Sequence, residues 1–182
     1  MEIIPQSLPD VLLLRPRQHA DARGSFAETF RLAELEAAAG RTIRFVQGNR
    51  SVSRAVGTVR GLHLQAPPRA QAKLVSCAKG KVLDVAVDAR RGSPTFGAHV
   101  AVELSERGAE SLWVPEGFLH GFATRTPDAV LTYLVTDTYA RETEHGVLWS
   151  SVGVDWGVGD GATLSDKDAA APPFAEWSSP FA

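Results

Sequence analysis

"AKLVSCAKGKVLDVAVDARRGSPTFGAHVAVELS" occupies residues 72–105. Apolar and polar residues alternate in "KLVSCAK", "KVLDVAVD" and "HVAVELS", with turns at Lys79–Gly80 and Arg91–Phe96. Period-two alternation bounded by glycine and proline marks strands, so the stretch reads as three strands in succession. The pattern continues in both directions. "SLWVPEGFLHGFAT" (111–124), "AVLTYLVTDTY" (129–139) and "GVLWSSVGVDW" (146–156) extend the strand series. Residues 1–16 read as a short strand, a proline turn and a second strand, "DVLLLRP", and "QHADARGSF" (18–26) reads as a polar loop. The one good helix is "RLAELEAAAG" (31–40), with Gly40 where a C-terminal cap belongs. After Gly157 the chain reads as an irregular tail, or one short helical turn, against the sheet. Helical segments do not alternate with strands, which excludes a doubly wound α/β fold and leaves an all-β barrel or sandwich. No internal repeat, glycine-rich phosphate loop or zincin motif is present.

The 182 residues suit a single domain over 1–182. The 19 basic and 21 acidic side chains leave a net charge of -2. That balance excludes a broad basic surface for nucleic acid, but not one local anion pocket. Cys77 is alone, so neither a disulfide framework nor a cysteine zinc site forms within the chain. The N-terminus lacks the basic and apolar blocks of a signal peptide, and no apolar run reaches a membrane span. The cytoplasm is the expected location.

The chemistry centres on "VGTVRGLHLQ" (56–65). A β-barrel metal site commonly takes two histidines one residue apart, a following acid and a third histidine on a later strand. The later histidine exists in "PEGFLHGF", at His120. The earlier pair does not: two residues after His63 stands Gln65, the acid's place holds Pro68, Arg69 and Ala70, and Lys73 would repel a cation. No metal is expected, because two histidines make a poor coordination set. If His63 faces the interior, Gly61 and Gln65 share its face, and Arg60 lies on the other unless a bulge intervenes. Lys73, Asp84, His120 and Tyr133 also interrupt apolar strands. Burying several such groups is costly unless they satisfy one another or serve chemistry. Together they form a toolkit for moving a proton beside a carbonyl: an imidazole base, a cation for the enolate and a tyrosine acid on the opposite face.

These residues sit in motifs that resemble the dTDP-4-dehydrorhamnose 3,5-epimerase family, the RmlC-like epimerases of the cupin superfamily. The motifs are "DARGSFAETF" (21–30), "QGNRSVS" (47–53), "VRGLHLQ" (59–65), the stretch 71–97, "VPEGFLHGFAT" (114–124), "YLVTDTY" (133–139) and "LSDKD" (164–168). The resemblance implies a cupin-type double-stranded β-helix, a jelly-roll barrel with short peripheral helices, acting as a homodimer. It implies that His63 is the base, held by Asp168, and that Tyr133 is the acid. Lys73 and His120 would surround the sugar and its C4 oxygen. Arg23 and Arg60 would meet the diphosphate, Glu28 the nucleotide, and Gln47, Gly48 and Asn49 would lie beside it. Glu144 and Lys167 are later binding positions. Gly48 stands where an acid is usual, and Leu64 where an aromatic is usual. The expected substrate is a dTDP-4-keto-6-deoxysugar, with no cofactor, no nucleic acid and no membrane. Two activities stay open: epimerisation at C3 and C5, or at one of them in an antibiotic or unusual deoxysugar pathway. A non-catalytic sugar-nucleotide module would be expected to lose His63 or Tyr133, and both are present.

Overall fold

The computed structural model describes residues 1–8, 10–158 and 161–182. It is predominantly β, with two large antiparallel sheets. The six-stranded sheet runs β1 (Glu2–Pro5), β2 (Leu12–Arg15), β10 (Ser111–Val114), β7 (Lys73–Lys79), β12 (Ala129–Val135) and β5 (Gln47–Ser53). The five-stranded sheet runs β13 (Glu144–Gly146), β6 (Val59–Gln65), β11 (Phe118–Thr124), β8 (Lys81–Asp88) and β9 (His99–Ser105). Strands β7, β8 and β9 are the three read from residues 72–105. The proline turn expected between β1 and β2 includes Pro9, which lies outside the described residues.

Strand parity sorts the side chains into three layers. Val75, Cys77, Val82, Ala86, Leu112, Phe118, Phe122 and Leu131 meet between the sheets. Their alternates on the five-stranded sheet, including Val85, Val87, Leu119 and Ala123, face outward and are covered by the C-terminal segment through Phe174, Trp177 and Phe181. On the other sheet Leu12, Leu14, Leu74 and Trp113 face outward, beneath Leu35 of helix α1 (Leu32–Ala39) and Ile43. Both faces of the central strands are therefore covered, which is why every residue of β11 is buried. Gly40 ends α1 at φ 67° with its N–H on the Glu36 carbonyl, a left-handed cap that glycine adopts without steric cost.

Two local expectations are corrected. Residues 18–26 are not a loop: β3 (Gln18–Asp21) and β4 (Gly24–Ala27) form a hairpin. Its side chains are almost all exposed, so no apolar alternation signals it, and backbone pairing alone defines it. The strand expected within 146–156 lies earlier, at β13, and Trp149–Val152 forms a 3-10 turn closed by Gly153 at φ 71°. The tail does carry one short helix, α2 (Asp166–Ala169). Among the described residues, no helix is long and apolar enough to cross a membrane.

Candidate active site

The inter-sheet core gives way to polar side chains at one end. On β7 Lys73 shares the inward parity of Val75 and Cys77, and on β8 Asp84 shares that of Val82 and Ala86. His120 lies between Phe118 and Phe122 on β11, and Tyr133 packs against the same core from β12. The inward face of β5 is polar throughout: Gln47, Asn49, Ser51 and Ser53. Of these groups Gln47, Asn49, Ser51, Lys73, His120 and Tyr133 line an open cleft of two adjoining lobes, about 410 and 260 Å³, with His63, Lys73 and Tyr133 walling both.

A bulge decides what β6 contributes. His120 pairs with His63, but Phe122 pairs with Arg60, so three residues of β6 oppose two steps of β11. The extra residue brings Arg60 onto the cleft side with His63, while Val59, Leu62 and Leu64 pack on the outer face. Gly61 makes this possible. Its φ is 122°, and a Cβ there would lie 2.6 Å from the Gly121 Cα and 2.7 Å from the His120 carbonyl oxygen. Leu64, where an aromatic was noted as usual, thus packs its side chain into the outer layer.

Each of the two cleft histidines has a carboxylate. His63 Nε2 is 2.6 Å from Asp168 Oδ1, and His120 Nε2 is 3.0 and 3.1 Å from the two oxygens of fully buried Asp84. Asp168 arrives from the far end of the chain. Thr163 bridges Thr58 in parallel, the Val59 N–H donates to the Thr163 carbonyl, and Ser165 caps α2 by accepting from the Asp168 N–H at 3.1 Å. Burial opposes ionisation of Asp168. The hydrogen bond and charge of His63, together with the Gly61 N–H and Ser165, outweigh it and hold the carboxyl below its ordinary range.

Lys73 behaves oppositely. Burial lowers its pKa to about 8, against the charges of Asp84 and Glu144, and Nζ lies 3.4 Å from the His63 carbonyl oxygen. Burial raises the Tyr133 phenol, with Arg60 pulling weakly the other way, so its hydroxyl keeps its proton at neutral pH. Glu144 accepts from Lys167 at 2.5 Å and from the Tyr139 hydroxyl at 2.9 Å. Burial would raise its pKa, but these two bonds and nearby positive charge lower it.

Three glutamines fix the rim of the cleft. Gln47 accepts from the Tyr139 N–H, Gln71 donates to the Asp137 carbonyl, and Gln65 bonds both the Thr138 carbonyl and the Ala140 N–H. Gln65 also donates to the Arg69 carbonyl at 2.7 Å. The position a second histidine would fill in a metal site thus holds a rim loop. Among the described residues no three His, Cys, Asp or Glu side chains are grouped as a metal would need.

Of the residues expected to contact substrate, the cleft gathers Gln47, Asn49, Arg60, His63, Lys73, His120, Tyr133, Glu144, Lys167 and Asp168. Gly48, of opposite parity on β5, lines a separate groove on the outer face. Arg23 is exposed on the hairpin and paired with Asp21 at 2.5 Å, and Glu28 is exposed and paired with Arg31. Neither lines the cleft of its own chain. Ser51, Gln71 and Tyr139 line it without having been expected, and Gln65 lines it on the face it was read to share with His63. For Ser51 the signal was available, since it shares the parity of Gln47 and Asn49. Gln71 lies just before β7, and Tyr139 lies beyond the end of β12 at Val135, where the strand expected over 129–139 stops short.

The cleft thus sets two histidine–carboxylate pairs beside a lysine and a tyrosine, the side chains of an acid–base site. The comparisons narrow the class. The family model described as dTDP-4-dehydrorhamnose 3,5-epimerase matches residues 5–176, and the chain belongs to that family of epimerases. The dTDP-4-dehydrorhamnose 3,5-epimerase of Shigella flexneri is 44% identical over 178 residues, covering 97% of each chain. The dTDP-6-deoxy-D-glucose-3,5-epimerase of Legionella pneumophila, solved with dTDP-4-keto-L-rhamnose, is 42% identical with a TM-score of 0.88, covering 94% of this chain and 91% of that one. A 3'-monoepimerase of Streptomyces bikiniensis, ChmJ, solved with dTDP-quinovose, is 35% identical with a TM-score of 0.88, covering 94% and 87%.

Proposed function

We propose that this chain epimerises dTDP-4-dehydro-6-deoxy-D-glucose at both C3 and C5, giving dTDP-4-dehydro-L-rhamnose. The observation that carries the reading is the His63–Asp168 pair at 2.6 Å in a cleft that Tyr133 and Lys73 also wall. With Nε2–H donated to the ionised carboxylate, the other ring nitrogen keeps its lone pair and acts as base. His63 takes the proton from the carbon beside the C4 ketone. The electron pair moves into the carbon–carbon bond and onto the C4 oxygen, where charged Lys73 and the Asp84-held His120 stabilise the enolate. Tyr133 returns a proton from the opposite face, which inverts the carbon. C3 and C5 both flank C4, so one set of groups serves each in turn. Every step is a proton transfer, so these side chains suffice without a redox cofactor.

Arg60 is assigned to the nucleotide diphosphate, whose oxygens match the guanidinium fork, and Gln47 and Asn49, in the adjoining lobe, to the nucleotide. Glu144 and Lys167 complete the binding side. We read the two sheets as a single cupin-type jelly-roll domain over 1–182, working as a homodimer. Arg23 and Glu28 belong to that reading through a second copy, since neither lines its own cleft, and Gly48 through its backbone between Gln47 and Asn49.

Incubation with the 4-keto sugar nucleotide in deuterated water, followed by NMR, tests the reaction. Deuterium at both C3 and C5, with inverted product, is expected. Exchange at one carbon would make this a monoepimerase, the activity named for ChmJ, and no exchange would leave a binding module.

A further inference from the structure

Of the cations that line the cleft, Lys167 is paired with Glu144, whereas among the described residues Arg60 and Lys73 make no ion pair. The Arg60 guanidinium is held by neutral groups of the opposite sheet. Nε donates to Ser53 Oγ at 3.1 Å and Nη2 to the Val52 carbonyl at 3.3 Å. Both acceptors lie at the end of β5, so these bonds cross from the five-stranded to the six-stranded sheet at the cleft edge. Ser53 is only 3% exposed, the last inward-facing member of the polar row that begins at Gln47.

A neutral clamp has a physical consequence. A carboxylate in place of Ser53 would cancel the positive charge that an anionic ligand needs. A hydroxyl on Nε fixes the plane of the guanidinium and leaves the charge uncompensated, with both Nη1 hydrogens and one on Nη2 unspent. Preorganising a long arginine before binding saves rotamer entropy that the ligand would otherwise have to offset.

We infer that Ser53 is a positioning residue for substrate capture: it orients Arg60 toward the diphosphate through the Nε hydrogen bond, without touching the sugar nucleotide itself. The inference rests on the assignment of Arg60 to the diphosphate. It separates Ser53 from the proton-transfer groups, so its loss should appear in binding and not in chemistry.

The test is a double-mutant cycle on the full chain with dTDP as the probe, read by calorimetry alongside steady-state kinetics. Ser53→Ala should weaken dTDP binding about five- to tenfold and raise KM similarly, with kcat within about twofold. Ser53→Thr, which keeps the hydroxyl, should restore most of the affinity. In an Arg60→Ala background, Ser53→Ala should have no further effect, because the group it orients is gone. If Arg60→Ala alone leaves dTDP affinity unchanged, the diphosphate assignment falls and the role of Ser53 with it. If Arg60→Ala weakens binding while Ser53→Ala does not, or if the two losses simply multiply, Arg60 keeps its role and the Ser53 inference is overturned. A fall in kcat with unchanged KM would likewise overturn it, since a capture device does not govern the chemical step.

Discussion

At His63 the ring nitrogen sits 2.6 Å from Asp168 and Tyr133 belongs to the opposite sheet, so the two residues make separable contributions. His63→Ala should abolish deuterium exchange at C3 and C5 together, with losses of at least ~10²-fold. Tyr133→Phe keeps the ring packing and removes only the donor hydroxyl. Exchange should persist in that variant while inverted product falls sharply, and equal loss of both would assign the tyrosine to enolate formation instead. Lys73 sets a pH limit. Burial, working against the charges of Asp84 and Glu144, lowers its pKa to about 8, so the ammonium is lost as pH rises through that value. The kcat/KM profile should therefore fall on its alkaline side near pH 8. Lys73→Arg, with its much higher pKa, should remove that limb even if overall activity drops. The sign for stability is opposite. The unfolded chain binds the extra proton between about pH 8 and the ordinary lysine value of 10.5, so the cost of burying the charge is relieved as pH rises across that window.

Strand β6 adds Arg60 to the cleft side of His63 and Gln65 only because its bulge lets positions 60 and 63 share a face. Gly61→Ala places a Cβ 2.6 Å from the Gly121 Cα on β11, with φ at 122°, and neither backbone can yield without shifting the ladder. The expected loss is about 2–4 kcal/mol of stability. Any folded fraction should also bind dTDP weakly, because Arg60 would be turned from the cleft. Thermal unfolding and calorimetry read the two effects; a stable variant with normal dTDP affinity would show that the bulge does not place Arg60. The same element shows where sequence reading stops. Alternation identified β6 and put His63 on one of its faces. The side on which Arg60 falls depends on a register shift against β11, a partner about 60 positions later, and no local pattern encodes it. The hairpin at 18–27 was missed for the converse reason: with both faces in water, its side chains carry no alternation.

Across the whole molecule, the exposed hairpin bearing Arg23 is the feature that the chain alone leaves unused. If Arg23 serves the cleft of a second copy, Arg23→Ala and His63→Ala should complement each other. A mixed dimer would hold one site with both residues intact, so refolding the two inactive variants together should restore part of the activity. Mixtures as inactive as their components, with sedimentation showing mixed dimers, would remove Arg23 from the partner's site.

Beyond the cleft residues that the family resemblance implied, the chain order by itself determined the strand series, the single N-terminal helix with its Gly40 cap, and the placing of Lys73, Asp84, His120 and Tyr133 within apolar strands. Those features are written locally, in alternation, turn residues and short motifs whose chemistry is legible wherever they fold. Tertiary structure alone decided that Asp84 and His120 form a buried pair, that Arg60 turns inward, and that Gln65 holds a rim loop where a metal ligand was weighed. It also decided that Arg23, Glu28 and Gly48 lie away from their own cleft. The physical reason is common to all of these. Each depends on which residues meet across two sheets and how the register between strands is set, and a pairing between distant segments leaves no trace in the spacing of either one.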